Sequence, residues 1–127
     1  MSPYHELFAD VVAVMYAQDP QAMRRTVEFA GAQGKDLYAA EARDFTALHK
    51  AIGWNDTTPH YLLSPTRSYL YRTQWPKAYT SKEKAAFLRH IFMVLKDEIQ
   101  ANWNAPAKSP EVLNINLINR FKSQSGN

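Results

Sequence analysis

The sequence contains no cysteine, which excludes disulfide bonds, zinc knuckles, thiol nucleophiles and iron–sulfur clusters. Glycine is also scarce: the four glycines form neither a GxGxxG nor a Walker pattern, so no nucleotide-phosphate loop is expected. No apolar run approaches the roughly eighteen residues that a membrane span requires, and the N-terminus lacks the basic leader of a signal peptide. We therefore expect a cytoplasmic protein without a cofactor and without membrane contact.

Metal ligands and catalytic groups are equally sparse. The four histidines have no partner at helical ligand spacing, and no Glu-x-x-His pair occurs. Two carboxylate pairs, Glu6 with Asp10 and Glu41 with Asp44, would each share a helix face, but such pairs are common on solvated surfaces. These groups predict neither a metal site nor a catalytic set.

The composition is that of an ordinary globular chain. Hydrophobic residues make up 46% and charged residues 21% of the 127 residues, far from the apolar-poor mixture of disordered proteins. A chain of this length can bury one hydrophobic core but not two. We expect a single helical domain over residues 1–122 and a frayed tail at 123–127.

Start signals and apolar spacing predict an all-α bundle of five to six helices. The predicted helices run from Ser2-Pro3 to Ala17, from Asp19-Pro20 to Gly31 or Gly34, from Asp36 to Ile52, from Thr80 to about Trp103, and from Ser109-Pro110 to about residue 121. Gly53 is expected to end the third helix, in which Phe45, Leu48 and Ile52 recur at three-and-four spacing. A Thr80–Glu83 capping box opens the longest helix, whose apolar face is predicted to consist of Phe87, Leu88, Ile91, Phe92, Leu95, Ile99 and Trp103. Alternation of apolar and Asn residues leaves a strand as an alternative for 110–121.

A long irregular connection is predicted at about residues 54–79. The three prolines of this stretch interrupt every candidate helix, leaving room for about two turns between Ser64 and Arg72. Connections of this length inside a compact domain are usually functional or mobile. The segment is therefore a candidate contact region.

Charge is distributed unevenly along the chain. Residues 1–63 carry five Lys/Arg against eight Asp/Glu, net −3, whereas residues 64–127 carry ten against four, net +6. Between Ser64 and Lys96, seven cations face a single acid, Glu83. A stretch so poor in acids is typical of a surface that binds polyanions.

The same region is rich in aromatic residues that keep a polar edge. Six of the ten Trp and Tyr residues lie between Trp54 and Tyr79, and none of the six Phe residues does. Such rings suit an interface, although they could also fold back over the bundle and fill the gap left by a helix-poor connection. The candidate binding residues are the cations and rings of this region: Arg67, Tyr69, Tyr71, Arg72, Trp75, Lys77, Lys82 and Arg89.

Two hypotheses describe a non-catalytic, all-helical accessory protein. In the first, the basic half contacts DNA or RNA without reading its sequence, with phosphate contacts from arginines and base stacking on Tyr71 and Trp75. In the second, the 54–79 segment binds an acidic protein surface as part of an adaptor, chaperone or inhibitor, because Tyr, Trp and Arg dominate binding hot spots. The scarcity of acids favours the first hypothesis, in which the acidic half remains free for another protein.

A third hypothesis is catalytic. The stretch RDFTALH, from Arg43 to His49, resembles the signature of the HEPN family of small all-helical ribonucleases, in which Arg precedes His by four to six intervening residues and a polar residue follows the Arg. The resemblance covers only this stretch, and it implies metal-independent RNA cleavage through Arg43 and His49. On a straight helix, this spacing would turn the two side chains about 120° apart.

Overall fold

The computed structural model describes residues 2–31 and 37–125, and within them the chain is all-helical, as the sequence predicts. The helices are α1 (Pro3–Ala17), α2 (Ala22–Gly31), α3 (Leu37–Ala42), α4 (Ser64–Thr73), α5 (Ser81–Ala101) and α6 (Pro110–Ser123). Residues 110–121 lie in α6, so the helical interpretation of that segment is confirmed and the strand alternative is not. None of the helices in the described ranges is long and apolar enough to cross a membrane.

Hydroxyl side chains fix the starts of three helices. The side-chain oxygens of Ser2, Thr80 and Ser109 each accept a hydrogen bond from a backbone N–H of the following turn, at 3.1 to 3.2 Å. Alanine in place of such a cap typically costs about 1 kcal/mol. The predicted starts of α1, α5 and α6 are therefore confirmed. The Glu83 carboxylate accepts from the Ala78 N–H at 2.9 Å, so the predicted capping box forms only its Thr80 half.

The predicted third helix is wrong in length, because α3 ends at Ala42 instead of Ile52. Asp44 terminates it: Oδ1 accepts from the backbone N–H and the hydroxyl of Thr46, at 2.8 and 2.7 Å. Its Oδ2 accepts from Gln21 Nε2 at 3.0 Å and from Arg24 Nη1 at 2.9 Å. These bonds stabilise a turn at Asp44 and disfavour continuation of the helix beyond Ala42.

The shortened helix moves the irregular connection to residues 43–63, earlier than the predicted 54–79. Leu48 and Ile52, assigned to a buried helix face by their spacing, are exposed. Gly53, with a φ of +82°, lies in a turn of the irregular segment and does not end a helix, because α3 already ends at Ala42. The two turns predicted between Ser64 and Arg72 are present as α4. The predicted boundaries at Gly34 and Asp36, and residues 126–127 of the tail, lie outside the described residues.

The core lies between α1, α4, α5 and α6. Its buried side chains are Leu7, Val11, Val14, Met15, Phe45, Leu62, Leu63, Leu70, Phe87, Ile91, Val94, Leu95, Leu117 and Phe121. Helix α5 packs against α1 and α6, while α2 covers α1 and α3. The predicted apolar face of α5 is confirmed at Phe87, Ile91 and Leu95, but its outer edge, with Phe92 and Trp103, is open to solvent.

A buried ion cluster, the Asp10 cluster (Glu6, Asp10, Arg43, His60 and Arg67), joins three parts of the fold. Asp10 Oδ2 on α1 accepts from Arg67 Nη2 on α4 at 2.8 Å, and Asp10 Oδ1 accepts from Arg43 Nη2 at 2.5 Å. Glu6 lies 4.0 Å from Arg43 and 3.1 Å from His60 Nδ1. Arg67 is 0% exposed, so the prediction that it lies on the surface is wrong. Burial lowers the pKa of Arg67, and its carboxylate partner compensates in part.

Truncation of the core should separate buried from exposed positions on α5. We expect Ile91→Ala to lower the free energy of unfolding by about 2 to 5 kcal/mol, because it opens a cavity at a fully buried site. The control is Met93→Ala, two residues away and 42% exposed, which should change stability by roughly 0.5 kcal/mol or less. Urea unfolding measures both, and equal losses would contradict the assigned core.

Two arginines of α4 form a matched pair for testing the Asp10 cluster. We expect Arg67→Ala to cost roughly 3 kcal/mol, because it removes one of the two cations that neutralise a buried carboxylate. Arg72→Ala, at the exposed end of the same helix, should change stability by about 0.5 kcal/mol or less. Urea unfolding of both variants is the measurement. Similar stabilities would show that the buried pair does not support the fold.

The bonds at Asp44 predict a pH dependence of stability. Burial acts to raise the pKa of Asp44, but hydrogen bonds from Thr46, Arg24 and Gln21 outweigh it and place that pKa below its ordinary value. A carboxylate with a lowered folded-state pKa stabilises the fold above its unfolded-state pKa of about 3.9, and this stabilisation is lost as pH falls through the folded-state pKa.

We expect Asp44→Asn to be less stable than the parent protein at neutral pH. Between about pH 5 and about pH 2 it should lose less additional stability than the parent. Unfolding free energies of both proteins, measured across this range, test the prediction. Parallel pH profiles would show that Asp44 does not contribute to the pH dependence of stability.

Candidate functional site

The aromatic rings of the 54–79 segment pack on the bundle. The ring centroid of Trp75 lies 5.3 Å from those of Phe45 and Phe87 and 5.5 Å from that of Tyr71. Its Nε1 donates to the hydroxyl of Tyr79 at 3.0 Å. Tyr71 and Trp75 are thus half-buried at the edge of the core, where they pack against other rings. These two residues therefore pack on the bundle, as the alternative in which the rings fill a gap describes.

The predicted cations do not form one surface. Arg67 is buried in the Asp10 cluster, whereas Arg72, Lys77, Lys82 and Arg89 are exposed. Of the exposed four, Arg72 lines a cleft between α4 and α6. The predicted binding set therefore divides into buried Arg67, half-buried Tyr71 and Trp75, the two cleft residues Tyr69 and Arg72, and three exposed cations outside that cleft.

A cleft of about 420 Å³ lies between residues 49–52, α4 and α6, and we call it the basic cleft. Its polar lining consists of His49, Lys50, Tyr69, Arg72, Asn119 and Lys122. Ala51, Ile52, Pro65, Ile115 and Ile118 provide an apolar floor. The cleft thus combines three permanent cations with an aromatic ring and an apolar base.

Hydrogen bonds from α4 position the irregular segment that forms one wall of the cleft. Ser68 Oγ accepts from the His49 N–H at 3.0 Å and donates to the Ala47 carbonyl at 2.5 Å. The His49 ring packs edge-on against Trp54, with centroids 5.2 Å apart, and its Nε2 lies 3.0 Å from the Glu41 carbonyl oxygen. These contacts hold the backbone next to Lys50 against α4.

The cations of the cleft lack carboxylate partners in the part of the chain that the structure describes. None of Lys50, Arg72 and Lys122 forms an ion pair with the described residues. Arg72 Nε donates to the Ser68 carbonyl at 3.2 Å, and Lys122 Nζ lies 5.8 Å from the Tyr69 ring centroid. No lining residue is Asp or Glu, and the nearby Glu111 carboxylate accepts from the Gly53 N–H. The cleft is consequently electropositive.

The two residues of the HEPN-like stretch have separate surroundings. Arg43 belongs to the Asp10 cluster, whereas His49 lines the basic cleft and contacts Trp54 and the Glu41 carbonyl. The helix expected to carry both ends at Ala42, before Arg43. Across residues 2–31 and 37–125, no group of three His, Asp or Glu side chains could hold a metal ion.

Sequence reasoning missed two of the three cleft cations. Lys50 falls in the half of the chain with net negative charge, and Lys122 lies in the last turn of α6, fifty residues after Arg72. The only local signal was the spacing of Ile115, Ile118 and Lys122, which places them along one side of a helix. Their meeting with Lys50 follows from the tertiary fold.

The chain matches no family model, and it resembles no curated protein and no solved structure at a level that would indicate a relationship. A proposal for the function therefore rests on the basic cleft and the surfaces around it.

Proposed function

We propose that this protein is a non-catalytic binding protein that contacts single-stranded DNA or RNA, without reading its sequence, through the basic cleft. The observation that supports this most strongly is the convergence of Lys50, Arg72 and Lys122. They come from three segments far apart in the chain, yet they line one cleft without a carboxylate partner among the described residues.

Each part of the cleft has a role in such a contact. The terminal amino groups of Arg72 make no hydrogen bond to the described protein, so its guanidinium is free to bind a phosphate in a bidentate manner. Lys50 and Lys122 add point charges for neighbouring phosphates. Tyr69 offers a ring for base stacking, and the floor formed by residues such as Ile115 and Ile118 suits apolar faces of bases and sugars.

The size of the cleft favours unpaired nucleotides. Its volume of about 420 Å³ falls within the range of small-molecule pockets, enough for roughly one or two unpaired nucleotides. Stacking on an aromatic side chain contributes about 1 to 3 kcal/mol per base and tolerates every base. Binding should therefore show little sequence preference.

The number of cations sets the expected salt dependence. Three phosphate contacts on a single strand give a slope of about −2 for log K against log salt concentration. Affinity should then fall by roughly 20-fold between about 50 mM and about 200 mM salt. Titration of a labelled oligothymidine or oligouridine by fluorescence anisotropy measures this slope, and absence of binding at the lowest salt concentration would end the proposal.

Two triple variants with the same loss of charge test the location of the contact. Lys50→Ala/Arg72→Ala/Lys122→Ala should abolish measurable binding, because it removes every cation of the cleft. Lys77→Ala/Lys82→Ala/Arg89→Ala removes three exposed cations predicted from the sequence but absent from the cleft lining, and it should retain most of the affinity. Equal weakening by both would place the contact elsewhere or make it a matter of net charge.

Poly-glutamate separates nucleic acid from an acidic protein surface as the partner. It supplies negative charge without bases, so the Tyr69 ring cannot stack on it. We expect oligonucleotides to bind more tightly than poly-glutamate at equal charge and Tyr69→Ala to remove this difference. Preference for poly-glutamate would favour the protein-binding hypothesis instead.

A further inference from the structure

A second surface lies between α1 and α5, away from the basic cleft. It is a hollow of about 330 Å³ that we call the apolar groove, lined by Tyr4 and Phe8 from α1 and by Phe92, Leu95, Ile99 and Trp103 from α5 and the turn after it. It continues into a neighbouring hollow of about 470 Å³ beside residues 105–108, which shares Tyr4, Ile99 and Trp103. None of the residues given for the groove and its neighbouring hollow lines the basic cleft, so the two surfaces are separate.

Large apolar side chains of the groove are open to solvent. Trp103 is 77% exposed and Phe92 is 52% exposed, and both border the same hollow. Phe8 packs edge-on against Phe92 with ring centroids 6.1 Å apart and closes one side. Contiguous exposed apolar surface of this kind marks interaction sites, and tryptophan is the residue most enriched in binding hot spots.

The spacing of the groove residues along α5 gives the groove a length that suits a helical ligand. Phe92 and Ile99 lie on one stripe of α5 with Lys96 between them, and Trp103 follows directly after the helix. The stretch of helix from Phe92 to Ile99 spans about 10 Å. When the stripe is extended to Trp103, it is roughly three turns long. An amphipathic helix buries anchors at i, i+3 or i+4 and i+7 in a groove of this length.

The charges that border the groove indicate which residues should flank the apolar face of the partner. The ionisable lining residues include Lys96 and Lys108, together with His5, and no Asp or Glu lines either hollow in the described chain. Two carboxylates lie nearby, and each faces a cation. Asp97 lies 3.6 Å from Lys96 in a partly exposed pair, which is weak in water and leaves Lys96 accessible to a ligand, and buried Glu98 lies 2.7 Å from Arg120. Burial and the charge of Glu98 raise the pKa of Tyr4, so the groove wall contributes a protonated hydroxyl and no negative charge.

We infer that the apolar groove docks an amphipathic helix of another protein, with apolar residues on one face and acidic residues flanking them. The apolar face fills the space between Phe8, Phe92 and Trp103. The acidic flank lies against Lys96 and Lys108. The inference is independent of the basic cleft and would stand if nucleic-acid binding failed.

A displayed library of short amphipathic helices tests the inference. Its apolar positions vary among Leu, Ile, Val, Met and Phe, and its flanking positions vary among Glu, Gln and Lys. Selection on the full chain should enrich helices with Glu flanks, because Lys96 and Lys108 are the charges that border the groove. Failure to enrich any helix, or enrichment without a preference for Glu, would overturn the inference.

Three variants locate the binding of a selected peptide. Trp103→Ala should weaken it by about tenfold or more, whereas Phe29→Ala, at a 94% exposed ring outside the groove, should leave it unchanged. Lys96→Glu should reverse the charge preference toward Lys flanks. All three positions are on the surface, and circular dichroism should show native helix content for each variant. Unaltered affinity of Trp103→Ala, or unaltered charge preference of Lys96→Glu, would contradict the inference.

Two further measurements exclude other occupants. Light scattering of the purified chain detects a second copy in the groove: a dimer that Trp103→Ala dissociates would replace the inferred partner with the chain itself. Competition with laurate tests a small amphiphile. Displacement of the peptide by laurate at a lower concentration than by unlabelled peptide would identify the groove as an acyl-chain site and overturn the inference.

Discussion

The fold depends on one buried carboxylate. Asp10, only 1% exposed, receives hydrogen bonds from both Arg43 and Arg67, and through them α1 is joined to the irregular segment and to α4. A buried charge without a partner costs several kcal/mol, so neither arginine is free to move away. Segment 43–63, which has little regular structure of its own, is held at its start by this interaction and by the bonds to Asp44.

The same constraint determines which residues are available for binding. Because Arg67 points inward to Asp10, Arg72 is left as the α4 cation that reaches the surface beside α6. Because segment 43–63 is fixed against α4 by Ser68, Lys50 joins that surface from the other side. The basic cleft is thus a product of the buried ion cluster and of the irregular chain that it positions. The apolar groove lies on a different pair of helices, α1 and α5.

Several features of the fold that depend on residues close together in the sequence were predicted correctly. Ser2, Thr80 and Ser109 act as caps because a hydroxyl side chain satisfies a backbone N–H within three residues, and that geometry is readable from the sequence. The apolar spacing of α5 predicted Ile91 and Leu95 correctly for the same reason. Helix α3 was predicted too long because the spacing of Phe45, Leu48 and Ile52 is helical. Contacts of Asp44 with residues twenty or more positions earlier prevented that helix, and no window of sequence shows them.

The candidate site was less predictable than the fold. Charge density along the chain identified Arg72 but could not distinguish it from Arg67, since the two differ only in the direction that α4 gives them and in the presence of Asp10. The sequence left two roles open for the rings of Tyr71 and Trp75, contact with a ligand or filling of a gap in the bundle. Trp75 packs against Phe45 and Phe87, and Tyr71 packs against Trp75. A residue's exposure depends on distant partners, and these are not encoded in its neighbours.

The distance along the chain between the partners of the Asp10 cluster also has a consequence for how the protein folds. Asp10 and Arg67 are separated by 57 positions, so the chain must close a long loop before this carboxylate loses its water. During synthesis, α1, α2 and α3 leave the ribosome before Arg67 does, and until then only one arginine, Arg43, can offset the cost of burying Asp10. Full neutralisation of Asp10 therefore requires α4, and the buried cluster joins the two halves of opposite net charge.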